Sequence, residues 1–187
     1  MAYCDASDLK KIGFKYIGDN VLISKDARIY EPEKISIGSN SRIDDFCILS
    51  GNVTIGSYCH VTPMCLIAGG IPGVFMDDFV TLAYGVKIFA QSDDYSGGTM
   101  VGSLVPAKYK NEYLATVWIE KQVVIGANST LMPGIKIAQG TAIGAMSLVL
   151  KSTKPWSINV GVPAIYIKER DTGLKIMEKE FLNENTI

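Results

Sequence analysis

The sequence predicts an all-β protein built as a parallel β-helix, and three observations lead there. The first is a six-residue beat: stepping by six from Ile37 reaches Ile43, Leu49, Ile55, Val61 and Ile67, and stepping from Ile119 reaches Ile125, Leu131, Ile137, Ile143 and Val149. Every one of these positions is aliphatic. The second is a companion row four places after each beat, usually small or branched: Ser41, Cys47, Val53, Cys59 and Cys65, then Val123, Ser129, Ile135, Thr141 and Ser147. The third is that the period fits neither regular element, since a helical face recurs near 3.6 residues and a half-buried strand near 2. A sustained period of six needs a coil that resets every six residues. Hexapeptide repeats supply it by winding three short strands into a triangular turn of about 18 residues, with turns stacked at about 4.8 Å. The aliphatic residue and the small residue two before it then point inward, and the residue between them points out.

The elements follow in order. Residues 7–14 read as a short capping helix, with Ser7 or Asp8 as cap, Leu9 and Ile12 on one face and Gly13 as stop. A less regular set at Ile23, Ile29 and Ile35 slips by two residues to reach the clean beat at Ile37. The beat breaks at Gly69–Gly73, as an insertion at a corner would cause, and resumes at Met76, Leu82 and Ile88. A longer break, about residues 91–116, is rich in polar and turn-forming types, including Asp93, Asp94, Tyr95, Ser96, Gly97 and Gly98. A loop of that length in a compact domain is usually functional or disordered. The coil finishes at Lys154 and Pro155; Leu174, Met177 and Phe181 then share one face of a terminal helix, capped by Asp171 or Thr172 and expected to cover the open last coil. The organisation is an N-terminal cap (1–22), a coil (23–160) carrying the inserted loop, and a C-terminal segment with its helix (161–187).

Composition narrows the function. With 187 residues, 48% hydrophobic and 20% charged, the chain supports one sizeable core. Eighteen basic and nineteen acidic residues, with no Lys/Arg run, argue against nucleic acid or an anionic membrane as partner. The first ten residues lack a basic segment followed by an apolar one, and the uncharged stretch Met64–Met76 is short and broken by Gly69, Gly70, Pro72 and Gly73. No secretory signal and no membrane span are expected, and the expected location is cytoplasmic. Of the four cysteines, Cys47, Cys59 and Cys65 fall in the small inward slot, with Cys47 and Cys65 stacked on adjacent coils. Buried filler is the favoured reading over redox or metal chemistry for these, and Cys4 shows no CxxC partner.

The run Ile125-Gly126-Ala127 through Met132-Pro133-Gly134, then Ile143-Gly144-Ala145, Lys151 and the ending Gly161-Val162-Pro163-Ala164, resembles the hexapeptide-repeat acyltransferases. The resemblance covers about residues 20–170. It implies a left-handed coil, with short helical caps and one long inserted loop, in a homotrimer with intersubunit active sites. It also implies acetyl-CoA as co-substrate, no metal, and a small-molecule sugar as acceptor. By alignment, the backbone at Ala127 and Ala145 meets the pantetheine arm, Pro163 packs near the adenine, and Lys151 and Lys168 stand where ammonium groups meet phosphates. Ala127 and Ala145 would serve equally well as plain corner residues. Where the galactoside and maltose acetyltransferase branch carries an asparagine and a histidine general base, this chain has Gly85 and Asp93.

Three residues are therefore candidates for catalysis. His60, the one histidine, lies between inward Cys59 and inward Val61, so its ring projects from a flat face. There it could act as a base near neutral pH, or simply pack at a surface or interface. Asp93 and Asp94 open the long loop on opposite sides of an extended chain. A carboxylate there could hold an acceptor ammonium, orient His60, or belong to an acidic turn. Tyr84 and Tyr95 are candidate substrate contacts. An aspartate in place of the branch histidine leans toward an amine acceptor, because a hydroxyl needs a base in contact during attack. The pattern around Ser92-Asp93-Asp94-Tyr95-Ser96-Gly97 looks like acetyltransferases of nucleotide-linked deoxyamino sugars in O-antigen and lipopolysaccharide biosynthesis. Sugar O-acetylation is the alternative. A carbonic-anhydrase-like zinc protein fits poorly with one histidine, and a non-catalytic scaffold leaves the loop and the terminal motif without a purpose.

Overall fold

The computed structural model describes residues 2–184; Met1 and residues 185–187 of the two expected caps lie outside them. Its strands form the three faces of a prism. One face stacks Leu22–Ile23, Arg42–Ile43, His60–Val61, Thr81–Leu82, Val124–Ile125, Ala142–Ile143 and Ser157–Gly161, parallel and in register. A second holds Arg28–Tyr30, the starts of the long strands Ile48–Ile55 and Leu66–Met76, then Lys87–Phe89, Thr130–Leu131 and Leu148–Val149. The third holds Tyr16–Ile17, Ile35–Ile37, the ends of the two long strands, Val117–Ile119 and Lys136–Ile137.

The beat residues form the core. Ile43, Val61, Leu82 and Ile125 from the first face meet Leu49, Ile67, Ile88 and Leu131 from the second, all fully buried, each contributing about 1.5–3 kcal/mol of burial. The small slots close the corners. Ser41 donates to the Gly56 carbonyl at 2.8 Å, Ser129 to Gly144 at 2.9 Å and Ser147 to Gly144 at 2.7 Å, so these buried hydroxyls are satisfied. The thiols of Cys47, Cys59 and Cys65 likewise reach the carbonyls of Thr62, Asp77 and Ala83, and burial pushes Cys59 up to about 12. All three are free and buried in the coil.

The corners explain why the repeat tolerates unusual backbone. Asn40, Tyr58, Phe79 and Gln122 all have φ between 56° and 64°, a region that strains non-glycine residues. Each coil templates the next: the N–H groups of Asn40, Tyr58 and Phe79 donate to the carbonyls of Asp19, Ser39 and Ser57 one turn above. Side chains stack along the same line, Asn20 Nδ2 donating a 3.2 Å hydrogen bond to Asn40 Oδ1 and Tyr58 stacking on Phe79 with centroids 5.0 Å apart.

Both interruptions have visible causes. The two-residue slip before Ile37 is a 3-10 turn at Pro32–Lys34, and Gly69–Gly73 widens a corner where Leu66–Met76 shifts register against Ile48–Ile55. Helix α1, Ala6–Ile12, is capped by Asp5 through a capping box with Asp8, two or three residues earlier than the sequence suggests. Helix α2, Leu174–Glu184, differs in position: it runs back along the Tyr58–Phe79 corner instead of crossing the last coil. Phe181 meets both rings edge-on, Glu178 pairs with Lys121 and Gln122, and Lys175 lies over Trp156. The last coil instead ends in an antiparallel hairpin, Ser157–Gly161 with Ala164–Glu169.

Candidate active site

The inserted loop is tied at its neck. Gln91–Ser92 pairs antiparallel with Tyr113–Leu114, and the Ala115 N–H donates to the Ala90 carbonyl at 3.0 Å. This stem lays the loop over the corner between the second and third faces. A cleft of about 500 Å³ results, lined by Asp93, Asp94, Tyr95, Asn111, Glu112 and Tyr113 from the loop, and by Met132–Gly134 and Leu150–Ser152 from the coils below. A second cleft of about 400 Å³ adjoins it, sharing Ser92, Asp93, Tyr95, Glu112 and Met132 and adding Ala68, Phe89 and Gln91. Gly134 lets the loop sit this low. Its φ is +81°, and the Tyr113 hydroxyl lies 2.5 Å from where a Cβ would stand.

The two adjacent aspartates have different surroundings. Asp94 is spent on the loop itself: Oδ1 accepts from the Ser96 N–H at 2.8 Å and Oδ2 from the Thr99 hydroxyl at 2.8 Å. Those bonds hold its carboxyl below the usual aspartate range. Asp93 lines both clefts, and no hydrogen bond to its carboxylate occurs among the described residues. Tyr95 is 87% exposed at the cleft rim. Glu112, opposite, is paired with Lys110 at 3.0 Å and Lys151 also lines the cleft, so Asp93 is the carboxylate left there to meet an ammonium group.

His60 stands elsewhere. It projects from the first face, where its Nε2 lies 2.8 Å from Asp44 Oδ2. The other Asp44 oxygen accepts from Arg42 Nε at 2.6 Å and from the Tyr3 hydroxyl at 3.3 Å. Burial pushes the Asp44 carboxyl up, but Arg42 and His60 outweigh it, and the net shift is downward. His60 is thus oriented by Asp44, not by a loop aspartate. Asp44, Arg42 and Tyr3 escaped the sequence reading, although Arg42 and His60 occupy the same outward slot one turn of 18 residues apart. Glu112, Asn111 and Tyr113 were also missed, because only the folded stem brings the returning arm beside Asp93.

The residues expected at coenzyme A divide between two corners. Ala127 and Ala145 follow one another down the edge between the first and second faces, with Met146 N–H donating to the Ala127 carbonyl at 2.8 Å. The turn carrying Pro163 continues that edge, the Gly161 N–H donating to Ser147 Oγ at 3.0 Å. Tyr84 lies above it, its carbonyl accepting from the Asn128 N–H at 2.8 Å. Lys168 is exposed on the outermost strand, paired with Ile158. Lys151 lies at the other corner, in the loop cleft and beside a smaller one with Lys154 and Tyr166. Close approach of coils is needed at the edge: a Cβ on Gly126 would lie 2.3 Å from the Ala145 nitrogen. Among the described residues no three His, Cys, Asp or Glu side chains converge as a metal site would require.

A coil of this kind, with one ordered loop hung over a corner, defines a class of transferase. Residues 34–69 match the bacterial transferase hexapeptide (six repeats) family. The dTDP-4-amino-4,6-dideoxy-D-glucose acyltransferase of Escherichia coli is 40% identical over 184 residues, covering 97% of this chain and 95% of that one. The chain belongs to the hexapeptide-repeat acyltransferases and has their left-handed β-helix. The crystal structure of AntD, an N-acyltransferase from Bacillus cereus in complex with dTDP and 3-hydroxybutyryl-CoA, superposes with a TM-score of 0.97 at 46% identity, over 99% of this chain and 98% of that one. A serine variant of AntD holds dTDP-4-amino-4,6-dideoxyglucose and coenzyme A, with a TM-score of 0.96 at 47% identity over 98% of both chains.

Proposed function

We propose that the protein transfers an acyl group from a coenzyme A thioester to the amino group of a dTDP-linked 4-amino-4,6-dideoxyhexose, in the assembly of O-antigen or a related surface polysaccharide. The carrying observation is the loop cleft lined by Asp93, whose carboxylate has no hydrogen bond or ion pair among the described residues. An amine arrives protonated near neutral pH and must lose one proton before it attacks. Asp93 accepts that proton; the nitrogen bonds to the thioester carbonyl carbon, the C–S bond breaks, and coenzyme A leaves as the thiol. Asp94 holds the turn that presents Asp93, while Tyr95 and Tyr84 flank the sugar. The named substrates of the Escherichia coli and Bacillus cereus relatives support the acceptor class. Acetyl-CoA and longer acyl-CoA species remain competing donors, since AntD holds a 3-hydroxybutyryl group.

The division of site residues between corners supports a homotrimer with its sites between subunits. Within one chain the Ala127–Ala145 edge and the Asp93 cleft are separated by the whole second face. A heterologous interface that closes as a ring brings the edge of one copy to the loop of the next. That edge is also apolar and exposed, with Phe46, Met64, Met146 and Val162 each at least 60% accessible, which favours burial in an assembly. The test is mass-spectrometric detection of acylated product with dTDP-4-amino-4,6-dideoxyglucose or its 4-hydroxy counterpart, each with acetyl-CoA and 3-hydroxybutyryl-CoA. Product only from the amine supports the proposal; product only from the hydroxyl sugar replaces it with O-acylation. Met64→Glu with Met146→Glu should convert the trimer to monomers in light scattering and abolish turnover.

A further inference from the structure

The His60–Asp44 pair is the best-ordered ionisable cluster outside the loop cleft, and the reaction as described leaves it unused. Asp44 is only 2% exposed at its side chain, yet both its oxygens are engaged. An ionised carboxylate can only accept hydrogen bonds, so the 2.8 Å contact requires Nε2 of His60 to carry the proton. In the neutral ring the lone pair then belongs to Nδ1. No hydrogen bond to Nδ1 occurs among the described residues, and the His60 side chain is 38% exposed. Arg42 already balances the Asp44 charge, so the carboxylate's work toward His60 is to fix ring orientation and tautomer.

Position along the edge gives this a use. Resting on the coenzyme A placement above, the cofactor runs upward past Pro163, Ala145 and Ala127. The next coil up carries Tyr84, and the one after carries His60, about 10 Å above the level of Ala127 at the ordinary coil spacing. A thioester held at the Tyr84–His60 level would face this ring. The charged and titratable groups facing His60 there are Asp44 and Arg42 from the strand above, Tyr3 from the N-terminal segment and Tyr84 from the corner below. We infer that Asp44 is a positioning residue that locks His60 as the Nε2–H tautomer and presents Nδ1 as a proton acceptor at the thioester end of the coenzyme A edge.

The chain's single histidine makes the test direct, because every imidazole ¹⁵N signal is His60. The unaltered protein should show the Nε2–H tautomer. Asp44→Asn can instead donate its amide to Nε2, moving the proton to Nδ1 and lowering kcat by about 10- to 100-fold with KM for acyl-CoA unchanged. His60→Gln, at a half-exposed position and keeping an amide donor toward Asp44, should lower kcat comparably. An Nδ1–H signal in the unaltered protein, or full turnover by His60→Gln while that protein still acylates the amino sugar, overturns this inference and leaves the functional reading standing. Absence of transfer by the unaltered protein overturns both.

Discussion

Gly134→Ala tests how the loop is seated, and its size follows from two numbers. The backbone at Gly134 has φ +81°, so any L-residue there is strained by about 1–2 kcal/mol. The new methyl would also lie 2.5 Å from the Tyr113 hydroxyl, closer than real contacts allow, but 3.4 Å from the ring carbon bearing it. The severe clash is therefore with one oxygen at the end of a side chain, Ala115 Cβ at 3.2 Å being the milder second contact. Gly97 provides the control: its φ is +79°, and nothing lies within 4 Å of its would-be Cβ. Gly97→Ala should carry only the backbone strain, shifting Tm by about 2–8 °C. Gly134→Ala should do the same and additionally raise KM for the sugar at least tenfold, because Tyr113 must swing and take the returning arm with it. Tyr113→Phe in the Gly134→Ala background deletes the offending oxygen, so sugar KM should return to within about threefold of Tyr113→Phe alone. Thermal unfolding by circular dichroism and steady-state kinetics on the four variants suffice. If Gly134→Ala matches Gly97→Ala in sugar KM, or Tyr113→Phe brings no recovery, the seating argument is wrong.

Other expectations follow from single contacts. Asp93→Asn keeps shape and loses charge, and should lower kcat by about 100-fold with the fold intact, whereas Asp94→Ala frees Ser96 and Thr99 and should chiefly raise sugar KM; comparable kcat losses for both would reject the division of labour. Phe181→Ala removes two edge-on ring contacts of about 0.5–1.5 kcal/mol each, so hydrogen exchange in α2 should speed up while the coil core stays protected. Asp44 has a folded pKa below its ordinary 3.8, so its stabilising contribution is complete above that value and lost as pH falls through the depressed one. The Tm gap between the unaltered protein and Asp44→Asn should therefore be constant above pH 5 and close below about pH 4; a gap that widens in acid would contradict the pairing.

The coil was legible because its physics is local and repeated: an aliphatic beat, a small companion and a stacked corner recur until chance cannot account for them. Handedness came only through family likeness, since period carries no sign. The helix α2 was legible as a helix, from Leu174, Met177 and Phe181, but its seat was not. That depends on Tyr58 and Phe79, outward corner residues more than 95 positions upstream, which the beat treats as featureless. The candidate site shows the same divide. Asp93, Asp94, Tyr95 and His60 announce themselves by type and place in the repeat. Glu112 and Tyr113 become neighbours of Asp93 only through the stem, and Asp44 was passed over as a turn residue beside the beat at Ile43.

The stem between Ala90 and Ala115 has a wider meaning. Lys87–Phe89 keeps register with Leu66–Ala68 above, and Val117–Ile119 keeps register with Val74–Met76. The coil leaves for the loop and returns without losing its place, and no core position changes partner. Loop length and chemistry are thereby decoupled from the scaffold. A new acceptor specificity could be grafted between Ala90 and Ala115 as one exchangeable cassette, leaving the coil and its Ala127–Ala145 edge untouched.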